Sequence, residues 1–283
     1  MVLRKLKETG EDAVMSVITI SRGTFSGGKM LAERLAAKLG YRCIDRDVIV
    51  EKAAVPGVGQ DVLRDALEKA PSFLDRFKHK KYVYLALIQA ALTEEVRTGK
   101  AIYHGHAGHL LLQGGTAILR TRIVAPMELR LRMAMEGLNL NENGAAAYIQ
   151  KVDQERQKWT RYLYGIDWQD PSLYDLIINL EFLSLDDACE MLAFVVRNRC
   201  PEFTQQCQAA MDDLALASRV KACLVLDPAT ADLEFEVVAH QGHVKLEGKV
   251  ANLVQFRELE RTARAVQGVV ALDLDAVAPP GPD

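Results

Sequence analysis

Long apolar runs are missing from this chain of 283 residues. No stretch approaches the roughly 20 residues that a membrane-spanning helix requires. Met1 to Ala13 mixes Lys, Arg, Glu and Asp without the apolar centre of a secretory signal. Cysteine is sparse and unpatterned. Cys43, Cys189, Cys200, Cys207 and Cys223 include no Cys-x-x-Cys spacing, and the odd count argues for reduced thiols over a disulfide framework. Charge of one sign is missing too: a net charge of −3 gives no support for general nucleic-acid binding. Together these absences predict a cytoplasmic protein without nucleic-acid partners. What is present is the composition of a globular chain, 49% hydrophobic and 26% charged, long enough for one large domain or two smaller ones.

The most informative stretch runs from Ser16 to Leu39. Val17, Ile18 and Ile20 form a β-branched apolar run of the kind found in buried strands. Leu31, Leu35 and Leu39 then recur every four residues beside Ala32 and Ala36, which predicts a helix face ended by Gly40. Between them lies Gly23-x-x-x-x-Gly28-Lys29. Strand, glycine-rich loop and helix in this order fit a phosphate-binding loop better than a plain βα turn, with inward N–H groups, the positive helix end and Lys29 offered to an anion. The residue after Lys29, usually a Ser or Thr that ligates magnesium, is Met30.

Strand and helix signals alternate from there to Cys200. Arg42-Cys43-Ile44 reads as a second strand ending in Asp45-Arg46-Asp47, where Asp45 and Arg46 meet a substrate or Asp47 caps the helix Val48 to Ala54. The basic cluster Phe77-Lys78-His79-Lys80-Lys81 reads as solvated surface. A helix covers Tyr82 to Thr98, and Ala101-Ile102-Tyr103 is a third strand. His104, His106 and His109 follow in His-x-His-x-x-His spacing. A metal site and a substrate-facing loop both fit, and the absence of a nearby Cys or carboxylate favours the loop. Ala117 to Val124 and Leu176 to Leu180 are further strands. Asn141 opens a long helix with Lys151, Asp153, Arg156, Lys158 and Arg161 on its polar face, and Ser184 to Asp187 cap a helix to about Arg197. The alternation predicts a parallel α/β sheet covered on both faces. Beyond it, a helix from Thr204 to Leu226, two strands joined near Gln241-Gly242, a helix over Val254 to Val266 and a strand over Val269 to Leu274 predict a small α-β-β-α-β domain. The expected division is 1–203, 204–276 and a disordered tail, 277–283.

Residues 14 to about 198 resemble the cytidylate kinase-like branch of the nucleoside monophosphate kinases. The resemblance is carried by Ile18 to Arg22 with Ser26-Gly27-Gly28, Ile44 to Asp47, Gly105 to Gly108, Ile123 to Pro126 with Arg130, Asp153-x-x-Arg156, Tyr164-Gly165, and Tyr174 to Leu176 with Asn179. Residues 212 to 276 resemble a BON domain through Arg219 to Ala222, Val244 to Val250 and Gln267 to Val270.

The first resemblance implies a P-loop kinase moving the γ-phosphoryl of ATP to a nucleoside monophosphate, with Mg2+ held mainly through nucleotide phosphates. By the same resemblance Gly23, Thr24, Ser26, Gly27, Gly28, Lys29 and Met30 line the donor phosphates. Asp45, Arg46, His106 and Asp153 line the acceptor. Lys29, Arg130, Arg156 and Arg161 carry catalysis by neutralising the transferring group. His106 stands where the family has arginine, and His104 ends the third strand where an acid is expected. No residue is assigned to a protein-held metal. Met30 and His106 also keep open a nucleotide-binding regulator that signals, without turnover, through a small ligand or protein partner at the BON-like domain. A ligand- or lipid-binding module with a degenerate kinase attached is a third reading. The acidic balance and the lack of a basic amphipathic helix argue against membrane association.

Overall fold

The computed structural model describes residues 17–68, 78–199 and 204–278. Ser16, the side chains of the Phe77–Lys81 cluster and the tail from Pro279 fall outside them. Five parallel strands form the first sheet: β1 (Val17–Arg22), β2 (Arg42–Ile44), β3 (Ala101–Tyr103), β4 (Ile118–Val124) and β5 (Leu176–Asn179). Their lateral order is β2-β3-β1-β4-β5. Val17 pairs with Ala101 on one side and Ile118 on the other, and Arg22 closes the register opposite Ile123. β1 is therefore central, which explains its apolar composition: Val17, Ile18 and Ile20 are each at most 1% exposed.

The strand's two faces feed different layers, because side chains alternate along it. Ile18 and Ile20 pack against Leu31, Leu35 and Ala36 of α1 (Gly28–Leu39) and Ala188, Leu192 and Val196 of α8 (Leu185–Arg199). Val17 lies under the opposite layer, built from α2 (Arg46–Ala53), α3 (Gln60–Glu68), α4 (Lys78–Val96), the short α5 (Gly108–Leu111) and Trp159 of α7 (Glu142–Tyr164). The predicted stops and caps recur. Gly40 ends α1 at φ 68°, Asn141 caps α7, and Ser184 and Asp187 cap α8 reciprocally. One cap is corrected: Asp45, not Asp47, opens α2, its carboxylate accepting the Val48 N–H at 2.9 Å. α6 (Met127–Leu138) packs on α7 through Ala134, Ala145 and Ile149, with Phe25 of the glycine-rich loop against the same cluster.

The second sheet contains β6 (Phe235–His240), β7 (His243–Lys249), β8 (Ala271–Asp273) and β9 (Val277–Ala278). β6 and β7 form the predicted hairpin, turning at Gln241 and Gly242, which both take positive φ as a two-residue turn of this hand requires. β8 and β9 follow one another along the far side of β7, both parallel to it. β9 corrects the expected disordered tail at 277–278: Val277 is 5% exposed in the small core, so burial holds these two residues in the sheet. α9 (Gln205–Leu226) and α10 (Leu253–Arg264) supply the rest of that core through Leu216, Val220, Leu224, Leu259 and Ala263. α9 serves both units. Met211 belongs to the first core, Arg97 of the α4–β3 connection holds Asp212 at 2.7 Å, and Arg219 holds Glu94 of α4 at 2.9 Å.

Candidate active site: a cationic cleft at the carboxyl edge of the sheet

A cleft of about 660 Å³ opens where β1, β2 and β3 end. This is the edge at which open parallel sheets place ligands, since the strand ends and helix N-termini converge there. Its lining sets Arg22, Lys29, Arg46, Lys151 and Arg156 against Asp45, Asp47, Glu68 and Glu155, a small excess of cations that suits an anionic ligand.

The floor is the glycine-rich loop. Gly27 caps α1 in the left-handed region, φ 78°, and a Cβ there would press on Leu185 at 3.1 Å. Ser26 is buried, its hydroxyl donating to Gly23 O at 2.8 Å, so it braces the loop from within. Phe25, also at positive φ, packs edge-on to Tyr148 of α7. Gly28 is required by a close approach: a Cβ there would run into the aliphatic stem of Arg22. Lys29 follows at the second position of α1, on the rim of the cleft. Its side chain is 61% exposed and lies 3.8 Å from Glu33, one turn along the helix. Met30 is exposed on the rim.

The roof of the loop is a clamp centred on Asp153 of α7. Asp153 Oδ1 accepts from the Thr24 hydroxyl at 2.8 Å and the Thr24 N–H at 3.0 Å, while Oδ2 accepts from Arg130 of α6 at 2.5 Å. Arg130 also donates to Thr24 O at 2.8 Å, and its guanidinium lies against Gly23. Arg156 donates to Arg22 O at 3.0 Å and stands 3.8 Å from Asp153. Burial, with Arg22 beside it, pulls Arg156 down to about 10, so it stays charged at neutral pH.

The far wall carries Asp45, Arg46, His104 and His106. Arg46 pairs with Glu68 of α3, and Asp47 is 3.5 Å away. Burial, with Arg22 nearby, lowers His104 to about 4, so it is a neutral hydrogen-bonding group. His106 stacks edge-on against Trp159 at 4.7 Å. Trp159 in turn donates to Ala66 O at 2.7 Å. Among the described residues, no group of three His, Cys, Asp or Glu side chains could hold a metal ion.

Thr24, Gly27, Gly28, Lys29, Met30, Asp45, Arg46, His106 and Arg156 are thus brought to one cleft. Gly23 and Ser26 lie beneath it as loop scaffold. Arg130 and Asp153 stand behind the loop, turned toward each other and Thr24. Asp153, expected beside the acceptor, is committed to the loop. Arg161 is exposed near the end of α7, outside the cleft lining. Sequence reasoning missed Arg22, the last residue of β1. The signal for it was a charged residue closing an otherwise apolar strand just before the glycine loop. Tyr174 and Asp175 have structural work: Tyr174 donates to Trp168 O at 2.7 Å, and Asp175 accepts a two-pronged contact from Arg120.

A parallel five-stranded sheet, a glycine-rich loop opening a helix at the end of the central strand, and a helical pair clamped over that loop define a P-loop kinase fold. The branch is set by sequence. The model of the cytidylate kinase-like family matches residues 17–181, more than half of the chain, and the protein belongs to that family. Residues 212–274 match the BON domain. The chain is 25% identical over 183 residues to the cytidylate kinase of Ignicoccus hospitalis, covering 63% of this chain and 97% of that one. It is 29% identical over 168 residues to the cytidylate kinase of Thermococcus kodakarensis, covering 58% and 78%. Among solved structures, an uncharacterized protein from Eubacterium ventriosum superposes with a TM-score of 0.50 at 17% identity, over 65% of this chain and 99% of that one, a likeness of fold alone. No described helix is long and apolar enough to cross a membrane.

Proposed function

We propose that the protein transfers the γ-phosphoryl group of ATP to a nucleoside monophosphate or a related small phosphate acceptor. The observation that carries this reading is the cleft itself, in which the N-terminus of α1 faces Arg46 and Arg156 across a space of nucleotide size. Phosphoryl transfer asks mainly for positioning and for charge to meet the equatorial oxygens, and a protein supplies both with backbone N–H groups and guanidinium planes. In this reading Gly27, Gly28 and the α1 N-terminus take the donor phosphates, with Lys29 and Met30 on the rim. Arg156 neutralises the transferring group. Asp45, Arg46 and His106 form the acceptor wall. Arg130 and Asp153 act through the loop by holding Thr24, as positioning residues.

Among the described residues, no cluster of three His, Cys, Asp or Glu side chains offers magnesium a protein cage. The Met30 side chain has no oxygen, and the Asp45 carboxylate caps α2, so nucleotide phosphates and water are the donors that fit an ion which dehydrates reluctantly. When bound, such an ion screens phosphate charge. The acceptor side differs from the family in presenting His106 where arginine is usual, which favours an acceptor held by fewer charges. The BON-like unit, taken as 204–276, is read as a binding module for a small ligand or protein, joined to the kinase unit, 1–203, through α9.

The test is ADP production by the full-length protein from ATP and magnesium across a panel of nucleoside monophosphates and small phosphorylated acceptors. Acceptor-dependent ADP supports the reading. Tight nucleotide binding with no ADP above background throughout the panel replaces it with a nucleotide-responsive regulator.

A further inference from the structure

The loop's own lysine lies on the exposed rim of the cleft beside Glu33, which leaves the question of what meets the innermost phosphate. We infer that Arg22, rather than Lys29, is the inner cation of the phosphate site. The inference rests on the kinase reading and sharpens it.

Four observations converge. Arg22 ends the central strand, and its stem crosses Gly28, so its guanidinium is carried to the N-terminal turn of α1. It lines the cleft. Its Nε is buried with no hydrogen-bond partner, and no carboxylate among the described residues lies within ion-pair distance of its side chain. Its neighbours repel it: Arg46 and Arg156 stand close enough to act on its charge, and the positive end of α1 adds to them. Arg22 is half-buried with its Nε enclosed, and a cation drawn out of water is ordinarily paired, because an uncompensated one is costly. Here the counter-charge is missing at the point where the helix N-terminus also lacks one. A phosphate group placed there satisfies both at once. Its oxygens accept from the α1 N–H groups on one side and the Arg22 fork on the other.

Other orphan groups surround the same point. Arg46 Nε, Tyr103 Oη and His104 Nδ1 are buried without partners, and all belong to residues at or just past the ends of β2 and β3. Such clustering of unsatisfied donors is rare in protein interiors. It marks a place whose donors an oxygen-rich ligand would satisfy. Lys29, by contrast, has its partner in Glu33 and most of its side chain in solvent. Gly28 then has a specific reason to be glycine: it is the gap through which Arg22 passes.

The experiment compares Arg22→Met, Arg22→Lys and Lys29→Met with wild type, all full length. Affinity for ATP and for inorganic tripolyphosphate is read by calorimetry, and the ligand-free melting temperature is read separately. Tripolyphosphate isolates the phosphate site from the base. Arg22→Met should weaken both ligands at least thirtyfold while the ligand-free protein melts at or above the wild-type temperature, since an uncompensated charge has been removed. Arg22→Lys should recover part of the affinity, and Lys29→Met should cost less than threefold. Wild-type affinity in Arg22→Met, or a loss in Lys29→Met as large as in Arg22→Met, overturns the assignment. So does a lowered ligand-free melting temperature shared by Arg22→Met and Arg22→Lys, which would make Arg22 a structural residue. A wild type that binds neither ligand instead refutes the kinase reading on which the inference rests.

Discussion

Replacing Asp153 with alanine tests the clamp that holds α7 to the glycine-rich loop. The carboxylate is 22% exposed, and its partners Arg130 and Arg156 are 12% and 18% exposed. Removing one member of a buried pair costs about 3–5 kcal/mol because the other charge is stranded, whereas exposed pairs contribute about 0–1. This clamp lies nearer the buried limit. It also satisfies the Thr24 N–H and hydroxyl, whose loss adds to the cost. Partial access of water to both guanidinium groups offsets some of this, and about 3 kcal/mol is the expected loss for Asp153→Ala. For a unit of this size that corresponds to a fall of about 6–12 °C in melting temperature. Asp153→Asn keeps an acceptor for Thr24 and should lose about half as much. Urea unfolding followed by tryptophan fluorescence is a clean assay, because the chain's two tryptophans, Trp159 and Trp168, are both buried in the first unit. Lys158→Gln, which removes the exposed Lys158–Glu155 pair, is the control and should move stability by no more than about 0.5 kcal/mol. A loss in Asp153→Ala of under about 1 kcal/mol would put the clamp among ordinary surface pairs and refute the reasoning.

Acid should weaken the fold through His109. Burial, aided by Arg120 and Arg122, holds this histidine at about 4, below its ordinary 6.5, and both ring nitrogens are enclosed without partners. The unfolded chain therefore binds the extra proton first. Stability is complete above pH 6.5 and falls as pH drops toward 4, by up to about 3 kcal/mol from this residue. Comparing urea midpoints at pH 7.5 and 4.5, His109→Phe should show a smaller loss than wild type; equal losses would exclude His109 as the source. Deleting residues 204–283 should harm the first unit as well, because Met211 leaves the first core and Arg97 and Glu94 lose their α9 partners. The truncated chain is expected to aggregate and to melt at least about 5 °C lower. A monodisperse truncation with an unchanged tryptophan-monitored midpoint would show that α9 contributes nothing there.

Local signals carried much of this architecture. The β-branched run at Val17–Ile20, the four-residue spacing from Leu31, the Gly40 stop and the reciprocal Ser184–Asp187 cap each depend on residues a few positions apart, and each takes the expected form. So does the Gln241-Gly242 hairpin. The α-β-β-α-β expectation lacked only β9, whose two residues are too short a run to have a period of their own. Asp45 and Asp47 illustrate the limit: both could cap α2, and the choice turned on backbone geometry that one acidic residue two places from another does not encode.

Composition, periodicity and turn chemistry were enough to specify a covered parallel α/β unit, a second small unit, and a glycine-rich loop that opens a helix at the end of the central strand. These properties are set by neighbours along the chain. The tertiary structure alone decided which charges face that loop. It set Lys29 on the exposed rim beside Glu33, left Arg161 exposed outside the lining, committed Asp153 to Thr24 and Arg130, and drew Arg22 across Gly28 into the cleft. The physical reason is that burial and pairing depend on segments more than a hundred residues apart, as Thr24 and Asp153 are, and no spacing rule reaches that far.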